Sequence, residues 1–396
     1  MSKATSKFIL FCGILLPPIV IYGTAPGWIR ISFTGDIIMH GPVQSSAFRN
    51  NRIDPATGDS LNNRGFDHLF EGVRSLLKES DLAVGNMEFP VSPPFASRGM
   101  TFNCRPEVLP ALKKAGISLV SIANNHILDQ GMQGLCATMR YLEQSGLAFV
   151  GAHKKEGRAK PGRVIEVRGI RIGFLACTDT VNHPEYLGMD GNAVNRCGDS
   201  GALYGAISEI RENSDFVVLL SHFGAEYVSR PSEREMKLAR TYCGRGVDLV
   251  IGHHPHVLQP MELYTAKDGR VCHIFYSLGN FISNQTWDNL PQVKNHSNAG
   301  TQDSAIVECY IRKKGHKAEV KFVIVPVFTS NRHDKRYGEK YFRDIRPLVI
   351  RDEVLRLERE CGISCAAEIS ELKKKILDIK ETLFGGKSYS GVALAE

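Results

Sequence analysis

The chain has 396 residues, 43% of them hydrophobic and 23% charged, with a formal net charge of +7 at pH 7. That is enough apolar material for one large core, or a domain plus an appendage. The positive excess is mild and suits an anionic ligand, but no dense Lys/Arg block interleaved with aromatics is present, which argues against nucleic acid as a partner.

The N-terminus differs in kind from the rest. Lys3 and Lys7 precede an apolar run from Phe8 to Tyr22, and Gly23-Thr24-Ala25 follows it. A positive start, a short apolar run and then small residues have the form of an export signal. The run is shorter than the roughly 20 residues of a spanning helix, and Pro17-Pro18 would kink it. Residues 1–27 are therefore expected to be a signal peptide or an uncleaved anchor, placing the protein at the membrane or in the cell envelope. Cys12 lacks the small residue expected before a lipidated cysteine. The ten cysteines are scattered with no C-x-x-C pair, and Cys361 and Cys365 stand four apart on an expected helix. Neither a disulfide framework nor a thiolate metal cluster is expected, a usage that favours a reducing compartment and so pulls against export.

"WIRISFTGD", from Trp28 to Asp36, is a β-branched and aromatic run ending in a Gly-Asp turn, and so a strand with a loop at its carboxyl end. In "FDHLFEGVRSLLKES" the apolar positions Phe66, Leu69, Phe70, Val73, Leu76 and Leu77 share one helical face. The strand "DLAVGNMEF" follows, then a Pro-rich loop, a helix near Arg105 to Ala115, and the strand "ISLVSIAN". "GLCATMRYLEQSG" reads as helix, "LAFVGA" as strand, and "GRVIEVRGIRIGFLACT" as a hairpin turning at Arg168-Gly169. "SDFVVLLSHFG", "VDLVIGHHPH" and "VCHIFYSLGNF" are buried strands whose last residues are polar, with the helix "REMKLARTYCGRG" between the first two. "SAIVECYIRKKGHKAEVKFVIVPVF" closes the domain as a hairpin. Alternating strands and helices predict an α/β layered fold, and the hairpins make its sheets mixed. From 331 the composition turns to a charged connector, "NRHDKRYGEKYFRD". A helical tail follows, with Ile369, Leu372, Ile376 and Ile379 at heptad-like spacing, too short to claim a coiled coil and better read as packed on the domain.

The polar strand ends form a set: Gly35-Asp36; Asn86 and Glu88; Asn125, His126 and Asp129 of "NNHILDQG"; His222 and Glu226 of "SHFGAEY"; His254 and His256 of "GHHPH"; Gly279-Asn280. A layered sheet brings such ends to one edge, where ligands bind in α/β folds. Most pieces are weak alone, since Gly-Asp is usually a turn and an isolated histidine is usually a satisfied core residue. His254-Pro255-His256 is the sharpest piece, and His253 reads as a bystander. Together these oxygen and nitrogen donors suit manganese, iron or zinc, one or two ions. A carboxylate bridging two ions about 3.5–4 Å apart would make a hydrolytic site. The chain has no phosphate-binding G-x-x-x-x-G-K-[ST], no G-x-S-x-G and no H-E-x-x-H. Gly224 places His222 and Glu226 on a loop rather than one helical face.

"FTGDIIM", "AVGNMEFP", "ANNHILDQG", "SHFGAEY", "IGHHPHVLQP" and "YSLGNFI" resemble the motif series of the CapA family, the poly-γ-glutamate capsule biosynthesis proteins within the calcineurin-like metallophosphoesterase superfamily. The resemblance runs from about Ile29 to Phe328. It implies a four-layer α-β-β-α sandwich over 28–330. It also implies metal ligation by Asp36, Glu88 (as bridge), Asn125, His222, His254 and His256, and protonation of a leaving group by His126. Asn86, Asp129, Glu226 and Asn280 would be supporting or substrate-contacting groups. The sequence departs from the superfamily's Asp-x-His, since Ile37-Ile38 follows Asp36 and His40 stands four positions on. It has Glu88 where an aspartate is usual, implying a weakened second metal position. The expected function is hydrolysis of a phosphoester or of a carbonyl such as a γ-glutamyl amide. The alternative is a non-catalytic, membrane-associated component that holds or passes an anionic polymer beside other capsule-synthesis proteins. A plain nucleotidase fits less well, because no loop supplies an evident base-stacking pair.

Overall fold

The computed structural model describes residues 27–154, 162–187, 192–198, 201–286, 300–315, 317–333 and 343–395. Apart from Gly27, the expected N-terminal signal or anchor lies outside these residues. Among the described residues no helix is long and apolar enough to cross a membrane.

Strands β1 (Trp28–Ile37), β2 (Leu82–Met87), β3 (Ile117–Ser121) and β4 (Ala148–Val150) come first. Helices α1 (Gly41–Arg49), α2 (Arg74–Lys78), α3 (Val108–Ala115) and α4 (Gly131–Ser145) lie between them. There follow β5 (Ala152–Lys154), β6 (Gly162–Val167), β7 (Ile170–Thr178), β8 (Asn192–Val194), α5 (Ala202–Glu212), β9 (Phe216–His222) and α6 (Glu233–Gly244). Next are β10 (Leu249–His253), β11 (Leu258–Thr265), β12 (Val271–Leu278) and β13 (Asn280–Ile282). The chain closes with β14 (Asp303–Lys314), β15 (Lys317–His333), β16 (Arg343–Val349), α7 (Ile350–Glu360), α8 (Ala366–Phe384) and β17 (Val392–Leu394).

Two mixed sheets form the middle layers. The first runs β16-β15-β14-β1-β2-β3-β4, with β13 beside β1 and β17 beside β15; the second runs β11-β12-β10-β9-β7-β6. Strand periodicity divides the apolar residues between layers. In β9, Phe216, Val218 and Leu220 join the core shared with the first sheet, while Val217 and Leu219 pack beneath α5 and α6 with Ile207, Ala239 and Tyr242. Both faces of the strand are covered, which is why its sequence is a continuous apolar run. Helices α3 and α4 pack on β3 and β4, so the α-β-β-α order implied by the resemblance is the order observed. The turn at Arg168-Gly169 has positive φ at both residues (48° and 80°), as a two-residue hairpin demands.

Register fixes what the strand ends present. Asn280, Asp36, Asn86 and Ser121 stand side by side across β13, β1, β2 and β3. Thr178, His222 and His253 do so across β7, β9 and β10. The two rows close on each other because β1 runs against the β12–β13 turn. A Cβ on Gly35 would lie 2.1 Å from the Gly279 carbonyl oxygen, and that oxygen accepts from the Asp36 backbone N–H at 2.9 Å.

Three expectations change. The helical face from Phe66 to Leu77 is broken into a 3₁₀ segment (Asn63–Phe70) and the short α2. At the break, Gly72 is pressed against β16, where a Cβ would meet the Pro347 carbonyl oxygen at 2.7 Å. The charged connector ends in a strand: β16 pairs antiparallel with β15 from Arg343 to Val349 and belongs to the first sheet. The tail that follows is part of the packing. Ile369, Leu372, Ile379 and Leu383 of α8 are buried, on β11 and β14, each worth about 1.5–3 kcal/mol of apolar burial. Lys375 adds a 2.7 Å ion pair to the buried Asp303.

The third change concerns the cysteines. Cys177–Cys197, Cys243–Cys272 and Cys361–Cys365 are disulfide-bonded, contrary to the expectation of no framework. Cys243 and Cys272 are 29 residues apart, on α6 and β12, and only the α6-on-sheet packing brings their Cα atoms to 5.8 Å. Cys361 and Cys365 do not share a helix, since α7 stops at Glu360 and a 3₁₀ turn intervenes. Replacing Cys243 and Cys272 together by alanine is expected to lower unfolding free energy by about 3 kcal/mol in denaturant melts. An unchanged midpoint would mean that the cross-link does not form in the folded protein.

Candidate metal centre

Three overlapping groups of potential ligands cluster where the two rows of strand ends meet. They are Asp36 with Glu88 and His256; Glu88 with His222 and His254; and Glu226 with His254 and His256, each offering donor atoms within 4.8 Å of one another. All but the exposed Glu226 are buried. Glu88 belongs to two groups and faces both His222 Nε2 (3.8 Å) and His256 Nε2 (3.6 Å) through Oε1. This is the placement a bridging carboxylate needs.

The surrounding contacts orient these donors. Asn86 Nδ2 donates to Asp36 Oδ1 at 2.8 Å and lies 3.3 Å from Glu88 Oε2. Asp36 Oδ2 accepts from the His254 backbone N–H (3.2 Å) and lies 3.1 Å from His256 Nδ1. Asn125 Oδ1 is 3.0 Å from His222 Nε2. Asn280 stands behind the centre, donating from Nδ2 to the carbonyl oxygens of His256 (3.3 Å) and Thr301 (3.0 Å) and to Gln285 Oε1 (2.7 Å). His254 and His256 flank Pro255 with φ of 94° and 57°. Positive φ at two non-glycine residues is a local cost that the surrounding contacts must sustain.

His253 is the bystander its position suggested, bonding the Thr34 carbonyl oxygen through Nε2 (3.1 Å). His40 does not replace the absent second ligand of the first motif. Its Nδ1 accepts from the Asn284 backbone N–H (3.2 Å) and its ring lies edge-on to Phe102. Ile37 and Ile38 are buried apolar groups. Glu226, expected only as a supporting group, comes within ligand range of His254 and His256.

Burial pushes Glu88 well above the usual carboxylate range, and the charge of Asp36 adds to the rise. For Asp36, burial acts upward but is outweighed by the His256 hydrogen bond and by His253, His256 and His222, which hold it well below that range. Of the two carboxyl groups, Asp36 keeps the charge and Glu88 takes the proton. Burial and then His254 push His222 well below its ordinary value. Burial and then His256 bring His254 down to about 4. Neutral imidazoles with available lone pairs are the form a cation requires.

The residues fit a divalent cation on a further observation. Glu88 Oε1 and His254 Nδ1 are buried without a hydrogen-bond partner, and both residues belong to the same candidate group. Leaving such atoms unpaired costs about 1–3 kcal/mol each, a penalty that coordination removes.

Beside the cluster, His126 Nδ1 is 2.7 Å from Asp129 Oδ2, and its ring stacks on Phe102 with centroids 3.9 Å apart. Asp129 Oδ2 also accepts from the Phe102 backbone N–H (2.6 Å). Sequence reasoning missed Phe102 and Asn182. Asn182 lies 3.1 Å from His126 Nδ1 through its Nδ2 and bonds Asn125 as well. Phe102 sits in a loop without periodicity, and Asn182 in "TVNHP" reads as ordinary turn chemistry.

Residues 30–285 match the family model described as bacterial capsule synthesis protein PGA_cap. The chain belongs to that family. This PGA_cap protein is 29% identical to the capsule biosynthesis protein CapA of Bacillus anthracis over 346 residues, 80% of this chain and 76% of that one. It is 32% identical to the PGA biosynthesis protein CapA of Bacillus subtilis (strain 168) over 292 residues, 72% of this chain and 69% of that one. Among solved structures, the NAD nucleotidase of Haemophilus influenzae is similar at a TM-score of 0.45 and 12% identity, over 93% of this chain and 57% of that one. At that distance no residue is assigned from it.

Proposed function

We propose that this PGA_cap protein is a metal-dependent hydrolase of capsule or poly-γ-glutamate synthesis, acting on a phosphoester or γ-glutamyl amide bond in an anionic polymer. The observation that carries the reading is the buried Asp36/Glu88/His222/His254/His256 cluster with an unpartnered Glu88 oxygen at its centre. The names of the Bacillus relatives supply the pathway, and the net charge of +7 suits a polyanion. The nitrogen and oxygen donors favour manganese, iron or zinc over calcium or magnesium.

When bound, a divalent ion supplies Lewis acidity and neutralises charge at the reacting centre. The chain's own residues do the rest. Asn125, His222, His254, His256, Asp36 and Glu88 would hold the ion among buried side chains, with the exposed Glu226 within reach of His254 and His256. With both ring nitrogens protonated, His126 would donate Nδ1–H to Asp129 in a hydrogen bond, which fixes the ring, and would pass its Nε2 proton to the departing group, returning to the neutral imidazole. Phe102 stacked against the ring limits its rotation. We place the protein in the cell envelope on the strength of the Lys3/Lys7 and Phe8–Tyr22 pattern. Fractionation of cells carrying the full chain is expected to recover it with membrane or envelope material, and recovery only from the soluble cytosol overturns that placement.

The deciding experiment measures metal content by elemental analysis, and hydrolysis of phosphodiesters and of γ-linked glutamate oligomers, with and without chelator. His126→Ala is expected to keep the metal and lose about 10²–10⁴-fold in turnover. If the parent protein carries metal but hydrolyses nothing, and capsule formation survives His126→Ala, the site serves to hold the polymer and the hydrolase reading is wrong.

A further inference from the structure

The loop after β7 reaches from the second sheet across to the first-sheet residues of the centre. Within it, Asn182 is exposed and makes polar contacts with residues of the centre. The Asn182 backbone N–H donates to the Asn125 carbonyl oxygen at 2.8 Å. Its side-chain Oδ1 accepts from Asn125 Nδ2 at 3.3 Å. Its Nδ2 donates to Asp129 Oδ1 at 3.4 Å and lies 3.1 Å from His126 Nδ1.

An asparagine can serve a cation only through its oxygen, because the amide nitrogen carries two hydrogens and no available lone pair. Nothing in the shape of the side chain distinguishes the two ends, so a partner has to. On Asn125 that partner is Asn182 Oδ1, which occupies the nitrogen end and leaves Oδ1 turned toward His222 Nε2, 3.0 Å away. We infer that Asn182 is a positioning residue: it locks the Asn125 amide with its oxygen toward the metal and ties that ligand to the His126–Asp129 pair. This rests on the reading of the cluster as a metal site.

The loop is anchored well enough to do this. The Asp179 backbone N–H donates to the carbonyl oxygen of His222 at 2.9 Å, so the loop is registered on a ligand-bearing residue. The Asp179 carboxylate accepts two hydrogen bonds from Arg234, at 2.6 and 2.9 Å. Thr178 donates from its hydroxyl to the Thr180 carbonyl oxygen at 2.7 Å, and the Cys177–Cys197 disulfide closes the loop's base. Groups that orient ligands from behind typically alter metal affinity about 10–100-fold when removed.

Two substitutions test the assignment, with manganese binding to the full chain followed by calorimetry and apoprotein melting temperature measured in parallel. Asn182→Ala removes the acceptor and should weaken manganese binding about 10–100-fold with little change in the apoprotein melt. Asn182→Asp keeps an acceptor for Asn125 Nδ2 but sets a second carboxylate against Asp129. It should bind manganese as well as the parent or better, while turnover falls through the disturbed His126–Asp129 pair with KM little changed. Manganese binding by Asn182→Ala equal to the parent's overturns the inference and leaves the metal-site reading standing. So does an equal loss in both variants, which would indicate loop packing rather than the amide lock. A parent protein that takes up no manganese, zinc or iron sinks the metal-site reading and this inference together.

Discussion

Glu88→Gln is expected to abolish tight metal binding and to reduce turnover by at least about 10³-fold, a loss of roughly 4 kcal/mol of transition-state stabilisation. The substitution keeps shape and burial but replaces the one carboxylate that belongs to two of the candidate ligand groups. It also separates a structural role from an electrostatic one. Burial and the neighbouring Asp36 push Glu88 well above the usual carboxylate range in the metal-free protein, so wherever the carboxyl is protonated an arriving cation must displace that proton. As pH falls, proton release on metal binding by the parent should rise toward one per Glu88 engaged, read by calorimetry in buffers of different ionisation enthalpy, and Glu88→Gln should lose that release. Below the metal-free pKa of Glu88, the parent's apparent affinity should fall about tenfold per pH unit, because metal and proton compete for one carboxylate. Metal uptake by Glu88→Gln with parental affinity would remove Glu88 from the centre and with it the bridging geometry.

Much of this site could be read in the sequence, for a reason that lies in register. Parallel strands of similar length end together, so Asp36, Asn86, His222 and His253 had to emerge at a common edge once their strands were recognised. Glu88, two residues beyond Asn86, follows from the same strand end. Turn chemistry was equally plain at Arg168-Gly169 and Gly224. What stayed hidden depends on contacts between segments far apart in sequence. Asn182 earns its position from Asn125, 57 residues away, and Phe102 from a stack on His126. The Cys243–Cys272 pair exists because α6 packs on the second sheet at β10, the strand paired with β12, which neither cysteine's neighbours announce. The break near Gly72 is imposed by β16, almost the whole domain later, against a local pattern that favours one continuous helix.

The metal-free protein is expected to lose stability steeply between pH 6.5 and about 4, well before ordinary carboxylates are all protonated. The cause is a set of histidines that the fold keeps neutral. Burial lowers His273 to about 4, and burial followed by neighbouring imidazoles lowers His40 to about 3 and His254 to about 4. His222 and His253 shift in the same direction. In the unfolded chain each titrates near 6.5. As pH falls below that value the unfolded state takes protons that the folded state refuses, so stability is present above 6.5 and drains away until the folded pKa is reached. The lowered Asp36 extends the loss to still lower pH, whereas the raised Glu88 opposes it, so one carboxyl group works against five imidazoles. His273 isolates the effect from the metal centre. It lies against Phe322 with its Nδ1 buried and unpartnered. Its shift corresponds to about 3 kcal/mol between pH 6.5 and 4, at 1.36 kcal/mol per pKa unit. His273→Leu should therefore match the parent near pH 7.5 within about 1 kcal/mol and exceed it by about 3 kcal/mol at pH 4, measured by denaturant titration with chelator present. Parallel pH profiles for the two proteins would mean that His273 titrates alike folded and unfolded, and the acid loss would then have to come from the cluster itself.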